Sequence, residues 1–165
     1  MTRQLLLIAN EQAATAFLWE RGQCRERIDF SRDSHGMAAF GELLDATGEL
    51  PVRIAFDCVD EEFRSEVVPR VIGSARRELL QRRRQQAFLN PAYSVTVPQG
   101  RDPDSKRSER VLFAALTDSD LIDPWLAVIA ERELPLAGIY SVSLLSRHLY
   151  RWLRIADRYS LLLFR

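Results

Sequence analysis

The chain has 165 residues and a mass of 19.0 kDa, the size of one ordinary domain or of a domain with a small insert. Its 23 basic and 23 acidic residues cancel, which argues against a dedicated nucleic-acid binder and against an acidic solvating tail. With 47% hydrophobic and 28% charged residues, 7 Gly and 7 Pro, the mix is that of a globular domain that needs no disulfide or metal staple. No apolar run approaches the roughly 18 residues of a membrane span, and the start MTRQLLLIANEQ is too short in its apolar part for a secretory signal. Cys24 and Cys58 show no CxxC or Cys/His ligand spacing. Reduced thiols in a cytoplasmic setting are the expectation, and the sequence leaves a Cys24–Cys58 disulfide open.

Residues 4–9 (QLLLIA) read as a buried strand. Ala13 to Glu20 and Cys24 to Phe30 follow as strands joined through Arg21-Gly22-Gln23. In the latter, Cys24, Glu26, Ile28 and Phe30 alternate with Arg25, Arg27 and Asp29. The chain therefore opens as an antiparallel meander. Ser34 reads as the N-cap of a helix to about Thr47, with Gly48 as its stop and Met37, Phe40, Leu43 and Leu44 as its inner stripe. Pro51 introduces the strand VRIAFDCV. The segment EEFRSEVVP is compatible with strand or helix and closes at Pro69.

Ser74 to Phe88 is a helix by propensity, with a narrow stripe of Ala75, Leu79, Leu80, Ala87 and Phe88. Tyr93 to Pro98 and Arg110 to Leu116 read as strands, with the polar GRDPDSKRSE as a loop between them. Asp123 and Pro124 look like an N-cap and a first-turn proline, opening a helix that turns Trp125, Leu126 and Ile129 inward, with Leu134 a further candidate. Leu136 to Tyr140 is a strand, Ser143 to Ile155 a helix, and Tyr159 to Phe164 a final strand. The order is β-β-β-α-β, an α-β-β-α block, then β-α-β. Because the chain ends on an apolar strand and a single Arg, the native product is expected to continue past Arg165.

Motifs that carry chemistry are sparse. Asp57-Cys58-Val59-Asp60-Glu61-Glu62 gathers four carboxylates, but no His is near and the spacing fits a strand end running into a solvated turn. His35 and His148 lack a triad constellation, and no P-loop, GxGxxG or G-x-S-x-G occurs. Arg76, Arg77, Arg82, Arg83 and Arg84 concentrate positive charge on one helix opposed only by Glu78. They are candidate contacts for a lipid surface or an acidic partner, or else a solvated helix face. A nucleic-acid role would rest on that helix alone, without interleaved aromatics, and is not expected.

Three antiparallel strands, a helix and a further strand, followed by ERVLFAALTDSDLIDPWLAVIAERELPLAGIYSVSLLSRHL, resemble the bacterial actin-like platform proteins. The likeness is to the type IV pilus assembly protein PilM and the cytoplasmic domain of the type II secretion protein GspL. The resemblance implies an α/β (mixed α+β) half-domain of actin-like, RNase H-like type, with a βββαβ…βαβ mixed sheet and a small inserted αββα subdomain. Residues 1–61 and 134–165 would form the core and 62–133 the insert. ATP-binding members carry an acid and then a Gly between the first two strands, whereas here the turn is Asn10-Glu11-Gln12. No cofactor, metal or catalytic residue is therefore expected. The implied function is a non-catalytic platform at the cytoplasmic side of the inner membrane, docking a peptide of a membrane protein or an assembly ATPase. Peripheral membrane association and an undetermined oligomeric state go with it. The exposed edge for strand addition is expected at Tyr93, Val95, Val97, Val111 and Phe113. The alternative is an actin-like ATPase whose remaining motifs lie downstream.

Overall fold

A computed structural model describes residues 3–89 and 91–154. The expected strand at Tyr159 to Phe164 lies outside the described residues. The architecture is mixed α+β, with a five-stranded mixed sheet and a three-stranded antiparallel sheet. Two compact units divide the chain, one of residues 1–58 and 120–165, the other of residues 59–119.

In the first unit β1 (Arg3–Asn10), β2 (Ala13–Glu20) and β3 (Gln23–Ser31) form the expected meander. Helix α1 (Ser34–Thr47) leads to β4 (Val52–Asp57), and β8 (Leu136–Ser141) adds parallel to β4, giving the order β3-β2-β1-β4-β8. Period-two alternation puts Leu5, Leu7, Ala9, Ala14, Ala16, Val52 and Ile54 on one buried face. Phe40 and Leu44 of α1 cover that face together with Trp125 and Ile129 of α3 (Asp123–Ala130). Three rings meet there: Phe40 lies 5.5 Å from Trp125 and 5.6 Å from Phe30, both nearly edge to face. The partly buried Met37 and Leu43 complete the α1 stripe. Helix α4 (Val142–Trp152) packs against β4 and β8.

Several details depart from the sequence reading. The N-cap of α1 is Asp33, one residue before Ser34; its carboxylate accepts from the Gly36 N–H at 2.8 Å and from the Ser31 hydroxyl at 2.7 Å. Those two donors hold its pKa below the ordinary aspartate value. Asp123 is the first residue of α3, capped by Ile122, which has no side-chain acceptor. Helix α3 also belongs to the five-stranded unit rather than to the insert, because Trp125 and Ile129 join the core of Phe30 and Phe40.

The second unit has the order β-α-β-β rather than the expected αββα. EEFRSEVVP is the strand β5 (Glu61–Pro69), paired with β7 (Ser105–Leu116) along its whole length. Helix α2 (Gly73–Ala87) and β6 (Tyr93–Asp102) complete it, in the sheet order β5-β7-β6. Most of the expected loop GRDPDSKRSE is strand. A bulge at Gly100, whose φ of +104° suits only glycine, and an Arg110–Asp102 ion pair of 3.0 Å carry the hairpin to a turn at Pro103-Asp104. Val68, Val111, Phe113 and Ala115 face Leu80, Ala87 and Phe88 of and after α2. The two ends of this unit are tied, since Thr117 donates from N–H (2.8 Å) and from its hydroxyl (2.9 Å) to the Asp60 carbonyl.

Cys24 is exposed and Cys58 half-buried, and neither forms a disulfide. Among the described residues no helix is long and apolar enough to cross a membrane, and no group of three His, Cys, Asp or Glu is placed to hold a metal ion.

Candidate functional site

The β1–β2 turn, Asn10-Glu11-Gln12, is the position at which the resemblance implies phosphate contacts in ATP-binding members. Its backbone donors are already engaged, because Asn10 Oδ1 accepts from the N–H groups of both Gln12 and Ala13 at 2.9 Å. An Asx turn of this kind substitutes a side-chain carbonyl for the anion that a glycine turn would hold. Arg32 then ties the turn to the segment before α3. Its guanidinium donates to the Glu11 carbonyl at 3.4 Å and the Asp120 carbonyl at 2.8 Å. An open hollow of about 900 Å³ borders these groups, with Asp33, Met37 and Asp123 in its wall. Glu11, Asp33, Asp120 and Asp123 line it together with Arg32, a predominantly acidic wall.

On α2 the five arginines separate into two groups. Arg76 folds inward onto Glu109 with two bonds of 2.7 and 3.0 Å, and that carboxylate raises its pKa. Arg84 donates to the Ser94 carbonyl at 3.3 Å. These two fasten the helix to its sheet. Arg77, Arg82 and Arg83 are exposed and make no ion pair or hydrogen bond among the described residues.

The expected edge residues also separate. Tyr93, Val95 and Val97 lie on β6, an edge strand, in register with Leu116, Ala114 and Leu112. Val111 and Phe113 are on β7, the central strand, and are fully buried against α2. They belong to the core because a second neighbour, β5, pairs on the other side of β7. The sheet face away from α2 carries Phe63 (42% exposed), Val67 (55%) and Val95 (43%). Phe63 and Val67 did not emerge from the sequence, although the alternation Phe63, Ser65, Val67 against Arg64 and Glu66 is the signal that marks them.

This chain is similar in fold to the cytoplasmic domain of EpsL, an inner membrane component of the type II secretion system of Vibrio cholerae. The match covers 84% of this chain and 57% of that one, at 12% identity and a TM-score of 0.54. It is also similar to a chain of the PilM-PilN type IV pilus biogenesis complex, over 94% of this chain and 52% of that one, at 14% identity and a TM-score of 0.67. A Bacteroides thetaiotaomicron protein with an actin-like ATPase fold and unknown function aligns at 11% identity and a TM-score of 0.38, too low to support an inference. The chain thus spans a little over half the length of the structures it matches. The fold that the resemblance implied, shared with these two structures, is present. No family model matches the sequence, and no curated protein matches it.

Proposed function

We propose that the chain is a module of a non-catalytic platform protein for a pilus or type II secretion-like assembly, working at the cytoplasmic face of the inner membrane. In this reading the three-stranded sheet docks an extended segment of a membrane-protein tail or of an assembly ATPase. The observation that carries it is the outer edge of β6, which has no neighbouring strand among the described residues, beside an apolar face of Phe63, Val67 and Val95. An edge strand offers unpaired backbone groups for strand addition, and alternate side chains of the incoming strand would meet that face. The fold shared with the EpsL cytoplasmic domain and with a chain of the PilM-PilN complex supports the setting. The Asn10-occupied turn and the acidic hollow support a role without nucleotide chemistry.

The test is a cross-linked pull-down of the full-length protein from its host, read by mass spectrometry, with wild type beside Val95→Arg. Recovery of inner-membrane pilus or secretion components by wild type, with loss of at least one in the variant, is the expected result. Recovery of no such component, or equal recovery by both, removes the reading. Mg-dependent nucleotide binding by the full-length protein would remove its non-catalytic part.

A further inference from the structure

In an antiparallel ladder each residue sends its N–H and C=O to the same side, and successive residues alternate sides. At the two ends of the β5–β7 pairing, Thr117 N–H donates to the Asp60 carbonyl and Arg70 N–H to the Arg107 carbonyl, both at 2.8 Å. The odd-numbered residues of β7 therefore address β5, and Leu112, Ala114 and Leu116 address Val97, Val95 and Tyr93 of β6. The backbones of Ser94, Thr96 and Pro98 are left pointing outward. Accordingly the Ser94 carbonyl accepts from Arg84 Nη1 at 3.3 Å, and Pro98, which has no N–H to give, falls at an outward position. Past Pro98 the register shifts at Gly100, so the regular part of this edge takes a partner strand of only about five residues.

The two faces that such a strand would meet differ in chemistry. Ser94, Thr96 and Pro98 share a face with Ala115, Phe113 and Val111, the face that α2 covers. Val95 and Val97 lie on the other face, with Phe63. Arg84 stands beside the edge at Ser94. Arg77, two turns earlier, lies on the same flank of α2, about 10 Å along its axis. Neither arginine pairs with a carboxylate among the described residues. The only acid of α2, Glu78, sits about 100° round the helix from Arg77. The α2 side of the edge thus presents cations and hydroxyls, and the other side presents aliphatic carbon.

We propose that the segment docked at β6 is a short strand of alternating acidic and aliphatic residues, its carboxylates turned to Arg84 and Arg77 and its aliphatic side chains continuing the row of Val95 and Val97. The inference rests on β6 being the docking edge, and adds the chemistry of the occupant. Charge complementarity selects the acids. A strand whose N–H takes the Ser94 carbonyl displaces Arg84 from it, and a carboxylate on that strand receives the freed guanidinium through charge-assisted bonds. Lysine at the same positions would meet like charge, and an apolar side chain would leave the guanidinium without an acceptor. A phosphate polymer or a lipid headgroup lacks the alternating N–H and C=O groups that complete a sheet edge.

Fluorescence anisotropy of the full chain tests this with three labelled peptides: Ser-Val-Glu-Val-Glu-Val-Ser and its counterparts with Gln or Lys in place of Glu. The Glu peptide is expected to bind about tenfold more tightly than the Gln peptide, with the Lys peptide weakest. Salt should shrink that advantage. Arg77→Gln with Arg84→Gln should erase it while leaving the affinity of the Gln peptide unchanged. Thr96→Pro, which removes an outward N–H, should weaken all three peptides, and an unchanged circular dichroism spectrum checks the folding of each variant. Equal binding of the three peptides, lost together in Thr96→Pro, overturns the carboxylate preference and keeps the docking edge. A preference that survives the double arginine variant, Glu-peptide binding indifferent to Thr96→Pro, or no binding by any peptide also overturns the proposal; in the last case the pull-down alone judges the docking edge.

Discussion

Two glycines on α1 have opposite walls, and their alanine variants should separate accordingly. Gly36 and Gly41 are both buried in the same helix, so each substitution gains about 1 kcal/mol or less in helix propensity. A Cβ on Gly36 would overlap the backbone carbonyl of Ser31, with the Ser31 nitrogen also near. That wall is the end of β3 and yields only if strand or helix moves. Overpacking costs about 1–3 kcal/mol, and a rigid wall puts the cost at the upper end. Gly36→Ala should therefore lose a net ~2 kcal/mol, or roughly 4–8 °C in Tm. A Cβ on Gly41 meets only the guanidinium of Arg132, the far end of a flexible side chain bonded to Asp45 at 2.8 and 3.2 Å. Swinging it aside sacrifices a surface pair, so Gly41→Ala should stay within about 1 kcal/mol of wild type. The assay is urea unfolding followed by tryptophan fluorescence, because Trp19, Trp125 and Trp152 all lie in the five-stranded unit. If Gly36→Ala is as mild as Gly41→Ala, the close approach of Ser31 is soft and the reasoning fails.

Three further outcomes follow from the packing. Trp125→Ala should cost about 3–5 kcal/mol in urea unfolding, whereas Trp125→Phe should cost well under half as much, because the ring contacts with Phe30 and Phe40 persist and the buried indole N–H has no acceptor among the described residues. Asp33→Ala should lower the urea midpoint at neutral pH, and the gap to wild type should close in acid. Its folded pKa is depressed, so its contribution is present above the ordinary aspartate value and disappears as pH falls through the folded one. A double-mutant cycle on Arg76→Ala and Glu109→Ala should give a coupling of about 1 kcal/mol, modest because the arginine remains 34% exposed. A coupling near zero would mean that the bidentate contact does not persist in solution.

How far the sequence spoke for itself can be judged element by element. The meander was legible because Leu5, Leu7 and Ala9 sit opposite Ala14 and Ala16 on a buried face, and such burial writes a period into the sequence. Helix α1 was legible for the same reason, although its cap shifted by one residue, since Asp33 and Ser34 are both good caps and the choice depends on where β3 ends. The β6–β7 hairpin was cut short because its outer half is held by cross-strand ion pairs such as Arg110–Asp102, which look like loop composition in one dimension. The central place of β7 depended on β5, whose short apolar alternation fits either period. The allegiance of α3 was hidden too: Trp125 announces a buried face without saying which core receives it. On the candidate surface, the arginines of α2 were visible as a group. Which of them turn inward is decided by Glu109 and Ser94, which are remote in sequence.

The tie between Thr117 and the Asp60 carbonyl bears on the order of folding. Strands β4 and β8 are neighbours in the sheet yet are separated by residues 58–135, and closing so long a segment in a disordered chain is entropically costly. Once residues 59–119 have folded with their ends fastened at Asp60 and Thr117, the free chain left to close is only 58–60 and 117–135. Logarithmic loop-closure entropy makes that saving on the order of 1 kcal/mol. It falls on the step that pairs β8, the most non-local contact of the five-stranded sheet and so the slowest to find. An insert that folds before β8 pairs thereby acts as an internal clasp, shortening the span that β8 must close.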